Sequence, residues 1–447
     1  MSRAAVLIVP SSVRNMRTTW KKAALFFACG TLVAGTAGAQ NRPPSSSHIK
    51  KLLREWVTLE GWTEAGAARQ AEILEEIRRV DPLDRSRDAE KWRDEIFKAQ
   101  MRYGRRLEDD SRQFWWEDES RGLLLVGGAE RRPRGLIVSM HGGGVGSGDA
   151  GSAHAHYAPA ASKLGFVCVS PEVLEKTERG WTDSGTEEFV MAAIDAAIRT
   201  FQVDPNRVIL AGHSMGGYGA WTLGAHHADR CAALAPSAGA PTPILELGTD
   251  AVVDLVEGVI PNLRNVRMVV FQSTDDPRVP PEPNQVAFRK IAAARERWGG
   301  FDAEYWEVGN RGHDFPEGGV VELLAKVVEA ERDPVPERIV WQPDIAWKKQ
   351  FYWLYWEQPR RHAMVVADLD REQNKISLTC EETIRGLSVL LDERVVDMER
   401  EVVIEFNGAE VRREVPVRRL DVLLQTGIHP DRDLMFAARM EVVGGGG

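Results

Sequence analysis

The sequence predicts an α/β fold in which a mostly parallel sheet is covered by helices on both faces. Three observations support this prediction. Apolar, β-favouring runs alternate with helical stretches between residues 113 and 333, and such alternation is typical of parallel sheets. One of these runs leads directly into a Gly-x-Ser-x-Gly motif. Beyond Pro334, short alternating runs separated by turn residues indicate a second, all-β domain.

The N-terminal residues carry the pattern of a secretory signal peptide. Basic residues at 17–22 precede an apolar run at 23–34, and Ala37-Gly38-Ala39 forms a cleavage motif of small residues. We therefore expect residues 1–39 to be a signal peptide, removed near Ala39 during export to the periplasm or the exterior. Met16 is an alternative start of the chain.

Residues 40–112 are predicted to form a linker and a helical arm. Residues 41–47 are rich in Pro and Ser, and apolar residues recur at helical spacing from His48 to Arg106. Charge is dense on the opposite faces of these helices. We expect an amphipathic arm that packs on the next domain without a catalytic role, and a cap over the active site is the alternative.

Residues 113–333 are predicted to form the α/β domain. Helices are expected over 186–201 and 283–298. Strands are expected near 122–126, 136–140, 166–170, 208–211, 232–234, 268–271 and 303–307.

The strand at 208–211 runs into Gly212-His213-Ser214-Met215-Gly216, which is followed by a segment compatible with a helix. A strand, this motif and a helix together predict a nucleophile elbow, in which a strained backbone presents the serine hydroxyl. The glycines at 212 and 216 let the neighbouring chain pass close to the turn. Ser214 is therefore the candidate nucleophile.

The strand at 136–140 runs into His141-Gly142-Gly143-Gly144. This pattern supplies backbone N–H groups to an oxyanion hole, and glycine leaves those groups unobstructed. We expect the N–H of Met215, with those of Gly143 and Gly144, to stabilise a developing oxyanion.

Two further motifs follow the elbow: Asp275-Asp276 after the strand at 268–271, and Gly312-His313 after the strand at 303–307. The order serine, aspartate, histidine is that of α/β-hydrolases. His154 and His156 precede the elbow and so break this order, and Asp275 remains an alternative acid.

Residues 113–333 resemble the α/β-hydrolase superfamily, in particular the branch of bacterial serine esterases and prolyl-oligopeptidase-like enzymes that includes feruloyl and polyhydroxybutyrate esterases. The segments at 204–208 and 233–239 match that branch. The resemblance implies that Asp276, which lies in an Asp-x-x-Val-Pro context, is the triad acid, and that His313, which follows a glycine, is the base.

The motifs together predict an exported serine hydrolase with the triad Ser214, Asp276 and His313, acting on a small-molecule or polysaccharide-linked ester. Trp181 and Phe315 are expected to wall the acyl pocket because they lie near the catalytic loops in sequence. The mechanism requires neither a metal nor an organic cofactor. The alternatives are a prolyl-oligopeptidase-like peptidase, and a non-catalytic envelope or polysaccharide-binding protein.

Composition narrows the classes of function. A net charge of −9 argues against nucleic acid as a partner. The sequence contains no run of about 20 apolar residues, so it predicts no membrane span. Cys168, Cys231 and Cys380 are scattered and suggest neither a disulfide framework nor a metal site. A lipid anchor on Cys29 is less favoured, because the residues before it form a poor lipobox.

Residues 334–443 are predicted to form a small β-sandwich, followed by a disordered Gly-rich tail at 444–447. An aromatic cluster between 341 and 356 opens this domain, and it is interpreted as the core of a domain interface, with glycan binding as the alternative. Strands are expected at 363–368, 375–380, 387–391, 402–406, 411–415 and 436–442.

Overall fold

The computed structural model describes residues 43–59, 63–116, 121–249 and 251–443. The predicted signal peptide and the predicted Gly-rich tail lie outside the described residues. The helices are α1 (Ser46–Thr58), α2 (Glu64–Arg78), α3 (Ser86–Tyr103), α4 (Ala150–Leu164), α5 (Thr186–Phe201), α6 (Met215–His226), α7 (Glu282–Trp298), α8 (Gly319–Ala325) and α9 (Leu420–Thr426).

The strands of the first part of the chain are β1 (Arg112–Phe114), β2 (Leu123–Gly128), β3 (Leu136–Met140), β4 (Val167–Pro171), β5 (Val208–His213), β6 (Ala233–Ser237), β7 (Pro243–Leu245), β8 (Val252–Leu255), β9 (Arg267–Ser273) and β10 (Ala303–Val308). The strands of the second part are β11 (Arg338–Trp341), β12 (Gln350–Phe351), β13 (Leu354–Trp356), β14 (Val365–Asp370), β15 (Lys375–Thr379), β16 (Leu387–Leu391), β17 (Val402–Phe406), β18 (Ala409–Glu414) and β19 (Ala438–Val443).

The central sheet has the strand order β1-β2-β4-β3-β5-β6-β9-β10. Strands β4, β3, β5, β6, β9 and β10 pair in parallel, whereas β1 and β2 join one edge in antiparallel fashion. The prediction of a mostly parallel sheet is therefore confirmed. Each predicted strand of this domain has a counterpart, with bounds that differ by up to three residues.

Helices cover both faces of the central sheet. Side chains of β5 alternate between the two cores: Val208 and Leu210 pack with α5 and α6, whereas Ile209 and Ala211 pack with α4 and α8. A strand that is buried on both faces reads as an uninterrupted apolar run. This explains why β3 and β5 could be recognised in the sequence as short, almost entirely apolar segments.

The C-terminal residues form two further sheets, of order β11-β14-β15-β17-β18 and β12-β13-β16-β19. Strand β14 alternates buried and half-buried positions, as expected for a strand with one face on a core. The two sheets fit a separate small domain, as the sequence predicts. The short helix α9 between β18 and β19 was not predicted.

The aromatic cluster at the start of this domain divides into two parts. Most of its rings are almost completely buried, and the Tyr352 hydroxyl donates to the backbone oxygen of Ala228 in the α/β domain, 2.9 Å away. These rings are core, as interpreted. Trp347 differs, with 44% of its surface exposed. The buried rings are Trp341, Phe351, Tyr352, Trp353 and Trp356.

The helical arm forms its main apolar contacts with the end of the chain. Its stripe of Ile49, Leu52 and Leu53 shares one core with Leu420 and Leu423 of α9. The arm also contacts the next domain, as expected, where Arg199 of α5 donates to Gln100 of α3. The apolar contact of α2 and α3 with α9 was not expected.

Candidate active site

The predicted functional residues meet at one edge of the central sheet. Because β3, β5, β9 and β10 run in parallel, their carboxyl ends lie along the same edge. Ser214 directly follows β5, Asp276 follows β9, His313 follows β10, and the glycine loop at 141–144 follows β3. Open α/β sheets bind their ligands at this edge.

Ser214 has the strained backbone that an elbow requires, with φ 60° and ψ −123°. Positive φ is costly for a residue with a side chain, and such strain persists only where the surroundings impose it. The surroundings here are very tight. A Cβ atom at Gly212 would lie 2.2 Å from the backbone oxygen of Gly216, and one at Gly216 would lie 2.0 Å from that of Met140. Glycine is thus required on both sides of the serine.

His313 faces Asp276. Its Nδ1 lies 2.8 Å from Oδ2 of Asp276, whose carboxylate is fully buried. The second carboxylate oxygen, Oδ1, accepts from the backbone N–H groups of Arg278 and Val279 at 2.8 and 3.0 Å. Those two hydrogen bonds hold the carboxylate in place and leave Oδ2 to orient the imidazole.

Asp275 has a different role from its neighbour. Its Oδ1 accepts from the Ser273 hydroxyl at 2.5 Å and from the N–H of Gly312 at 3.2 Å. The hydrogen bond from Ser273 is the main reason that the pKa of Asp275 is lowered. Asp275 therefore ties the loop that carries His313 to the end of β9, but it does not contact the imidazole.

The glycine loop lies against the elbow. A Cβ atom at Gly142 would lie 3.2 Å from Cβ of Ser214 and 3.0 Å from the backbone oxygen of His213. Met215 is the first residue of α6, and N–H groups in the first turn of a helix lack intrahelical partners. Gly143 has a φ of +143° and packs against Ser147, where a side chain would collide.

His141 anchors this loop from inside. Its ring is buried, and burial lowers its pKa. Nε2 accepts from the N–H of Val173 at 3.2 Å, so Nδ1 carries the proton and donates to the backbone oxygen of Gly142 at 2.8 Å. The loop is thus held by a neutral imidazole between two backbone groups.

Trp181 does not wall the pocket, contrary to the sequence-based prediction. It is completely buried, and its indole N–H donates to the backbone oxygen of His141 at 3.2 Å. Its ring also packs on the His141 ring, with 5.1 Å between the ring centroids. Trp181 lies behind the glycine loop and supports it. Sequence proximity to a catalytic loop could not separate these two positions.

Phe315 is half-buried, and the ring of His213 links it to the candidate base His313. The His213 ring packs on Phe315 at 4.4 Å and on His313 at 4.9 Å, measured between ring centroids. Burial lowers the pKa of His213 to about 4, so this ring is neutral near pH 7. His156 also packs on Phe315, whereas Nδ1 of His154 lies 3.0 Å from the Ser170 hydroxyl.

A cavity of about 640 Å³ opens at Ser214, and sequence reasoning missed most of its lining. One wall is the hairpin of β7 and β8, which contributes Pro243, Leu245 and Val252. Arg278 and Glu282 are the charged residues of an otherwise largely apolar lining. The run Pro243-Ile244-Leu245 was the available sequence signal, but nothing in the sequence alone showed that it folds back over Ser214.

The described ranges of the chain contain no group of three or more potential metal ligands from His, Cys, Asp or Glu. They also contain no helix that is long and apolar enough to cross a bilayer.

Comparisons with known proteins identify the family. A family model described as the alpha/beta hydrolase family matches residues 136–409. No curated protein matches the sequence. The similar solved structures include a thermostable esterase, with 20% identity over 47% of this chain and a TM-score of 0.35. This chain spans 59% of that esterase.

Two other similar structures have comparable scores. One is esterase 2 of Thermogutta terrifontis, phosphonylated by cyclosarin, with 18% identity, 49% of this chain and 91% of that chain covered, and a TM-score of 0.36. The other is an acetyl xylan esterase from Aspergillus awamori, with 13% identity, 45% and 93% covered, and a TM-score of 0.34.

Proposed function

The chain belongs to the alpha/beta hydrolase family, and from this premise we propose that it is an exported serine hydrolase that cleaves carboxylic esters. One observation carries the proposal. His313 bonds to the buried carboxylate of Asp276 at the sheet edge where Ser214 occupies a strained elbow. A nucleophile, a base and a group that orients the base are the parts that acyl transfer needs.

In the proposed reaction, the hydroxyl oxygen of Ser214 attacks the ester carbonyl while neutral His313 accepts the hydroxyl proton. Asp276 holds the imidazole with its proton on Nδ1 and stabilises the imidazolium that forms. The negative charge on the carbonyl oxygen is met by the N–H groups of Met215, Gly143 and Gly144. Each such donor contributes roughly 3 kcal/mol to transition-state stabilisation.

The tetrahedral intermediate then collapses. His313 returns its proton to the leaving alcohol, and the acyl group remains on Ser214 as an ester. Water enters, gives a proton to His313 and attacks the acyl carbon. A second collapse releases the carboxylic acid and restores the serine hydroxyl. Every proton is handled by groups at the sheet edge, so the cycle needs no further residue as acid or base.

The lining of the cavity favours an ester with an apolar group of moderate size. Pro243, Leu245 and Val252 offer hydrocarbon surface next to Ser214, and apolar side chains gain little from hydroxyl-rich groups. Among the described residues, the arm supplies no side chain to this cavity.

Matched ester and amide substrates with one acyl group test the proposal. We expect ester turnover by the native chain and none by Ser214→Ala, with the amide left intact by both. A Ser162→Ala variant is the control, because it removes an exposed hydroxyl from helix α4 that does not line the cavity. Amide cleavage at a comparable rate would move the protein to the peptidases, and ester cleavage that survives Ser214→Ala would refute the assignment.

Export is a separate part of the proposal and depends on the sequence of residues 1–39. The measurement is cell fractionation of a bacterium expressing the full chain, followed by N-terminal sequencing. We expect a mature chain that begins at Gln40 outside the cytoplasm. A full-length chain in the cytoplasm would refute export and leave the catalytic proposal untouched.

A further inference from the structure

We propose that the protein binds a neutral glycan in a second site, a groove between the helical arm, the α/β domain and the C-terminal β-domain. The groove consists of two adjoining depressions of about 300 and 420 Å³. They share Trp56, Gln70 and Ile428, so their linings are continuous. Their volumes fall in or near the range of small-molecule sites, which begins at about 300 Å³.

The groove is remote from Ser214. Helix α6 begins directly after Ser214 and ends at His226, and twelve helical residues span about 18 Å. The ring of His227, which follows the helix, packs against Trp347 in the groove, with 5.4 Å between the ring centroids. The catalytic serine and the groove thus lie towards opposite ends of one helix.

Aromatic rings in the groove are available to a ligand on one side. Trp347 packs on His227, yet 44% of its surface is exposed, although the neighbouring rings of its cluster are buried. Tyr355 lies under the guanidinium of Arg439 at 5.0 Å and also lines the groove. A ring supported on one face can receive the C–H face of a pyranose on the other, since such rings prefer offset face contacts.

The charges of the groove indicate a neutral ligand. Each carboxylate in its lining is bonded to a side-chain partner: Asp229 to Lys348, Glu357 to Lys349 and Asp195 to Arg230. These carboxylates are therefore paired within the protein and are not left for a cationic ligand. The guanidiniums of Arg105 and Arg199, which also line the groove, donate to oxygens of the protein and are not left for an anionic one. The lining also carries four glutamine side chains, at 70, 100, 350 and 425.

The amide of Gln70 is suited to hydroxyl groups. It is half-buried on α2, and it makes no hydrogen bond within the described residues. A primary amide offers both donors and acceptors, as a sugar hydroxyl does. Stacking on Trp347 and hydrogen bonding to Gln70 of the same groove would together recognise an apolar face and a polar edge, and a neutral sugar chain has both.

Isothermal titration of the full chain with cellohexaose, xylohexaose and N-acetylchitohexaose tests the proposal. We expect saturable binding of at least one of these, with a Kd below about 1 mM. Trp347→Ala should weaken that binding by about tenfold or more, as loss of a stacking ring does. Phe114→Ala is the matched control, because Phe114 is equally exposed, at 43%, but lies on strand β1 outside the groove.

A second variant keeps the test valid if Trp347→Ala unfolds. Gln70→Trp fills the groove from a half-exposed helix position and should abolish binding without loss of the fold, which circular dichroism checks. Absence of binding to all three oligosaccharides would overturn the proposal. Binding that survives both groove variants would also overturn it. The Ser214→Ala variant should bind the same oligosaccharides with the same Kd, so this test does not depend on esterase activity.

Discussion

Replacing Asp276 by Asn tests the candidate triad with little change in shape. The Asn oxygen can still accept from the N–H groups of Arg278 and Val279, so the loop should keep its conformation. The Asn NH₂ group, however, would then face Nδ1 of His313 in place of the carboxylate oxygen 2.8 Å away. A donor at that position forces Nδ1 to accept, so the imidazole proton moves to Nε2.

The size of the effect follows from these contacts. The imidazolium loses a charge-assisted hydrogen bond, worth about 1.5–3 kcal/mol. The misplaced proton also prevents Nε2 from accepting the Ser214 proton. Together these losses should lower kcat by about 10⁴-fold, or roughly 5 kcal/mol, as the corresponding substitution does in a Ser-His-Asp protease.

The assay is hydrolysis of a short p-nitrophenyl ester, with thermal unfolding measured beside it. Asp275→Asn is the control, because its oxygen can still accept from Gly312 and it does not contact His313. We expect that variant to retain most activity, and both variants to unfold near the native temperature. Near-native turnover by Asp276→Asn, or an equal loss in both variants, would contradict the reasoning.

Three further predictions follow from the pocket and the buried charges. Leu245→Ser should lower kcat/KM for octanoate esters by about tenfold and leave acetate esters nearly unchanged, because about 1.5 kcal/mol of apolar contact is lost; an equal loss on both esters would exclude this wall from the acyl site. Burial opposes the charge on His226, but the carboxylate of Glu187 outweighs it and raises the pKa of His226 to about 9. Since that pKa exceeds the unfolded value of 6.5, this stabilisation is full below pH 6.5 and is lost as pH rises through 9. The free energy of unfolding, measured in urea, should fall by roughly 3 kcal/mol because of this group as the pH rises from 6.5 through 9. His226→Gln should remove that part of the pH dependence. Arg332→Ala should cost about 3 kcal/mol because it removes two hydrogen bonds from the fully buried carboxylate of Asp431 and leaves only Arg230, 3.9 Å away, as its ion-pair partner, and a denaturation midpoint close to native would contradict this.

The central sheet and the elements that carry the candidate triad could be predicted from the sequence because each depends on local patterns. Wholly apolar runs mark strands that are buried on both faces, and glycines around Ser214 mark the tight elbow. The choice between Asp275 and Asp276 came from a resemblance, and the hydrogen bonds of the two carboxylates now give it a physical basis.

Features that depend on contacts between residues far apart in the sequence could not be predicted from it. The hairpin of β7 and β8 lines the Ser214 cavity, but the sequence shows only two short apolar runs. The sequence alone does not distinguish Trp181 from Trp347. Trp181 is fully buried behind the glycine loop, whereas Trp347 is exposed. Which side of a loop a ring occupies is decided by tertiary packing, and no local pattern encodes it.

The core that the helical arm shares with α9 has a consequence for synthesis. Helices α2 and α3 contact α9, whose residues leave the ribosome more than 300 residues later. The apolar surface that α9 covers on these two helices has no native partner until almost the whole chain has been made. A chain truncated before α9 should therefore expose an apolar helical stripe at its start. Because the N-terminal helices and α9 belong to one apolar core, folding can finish only when translation is nearly complete.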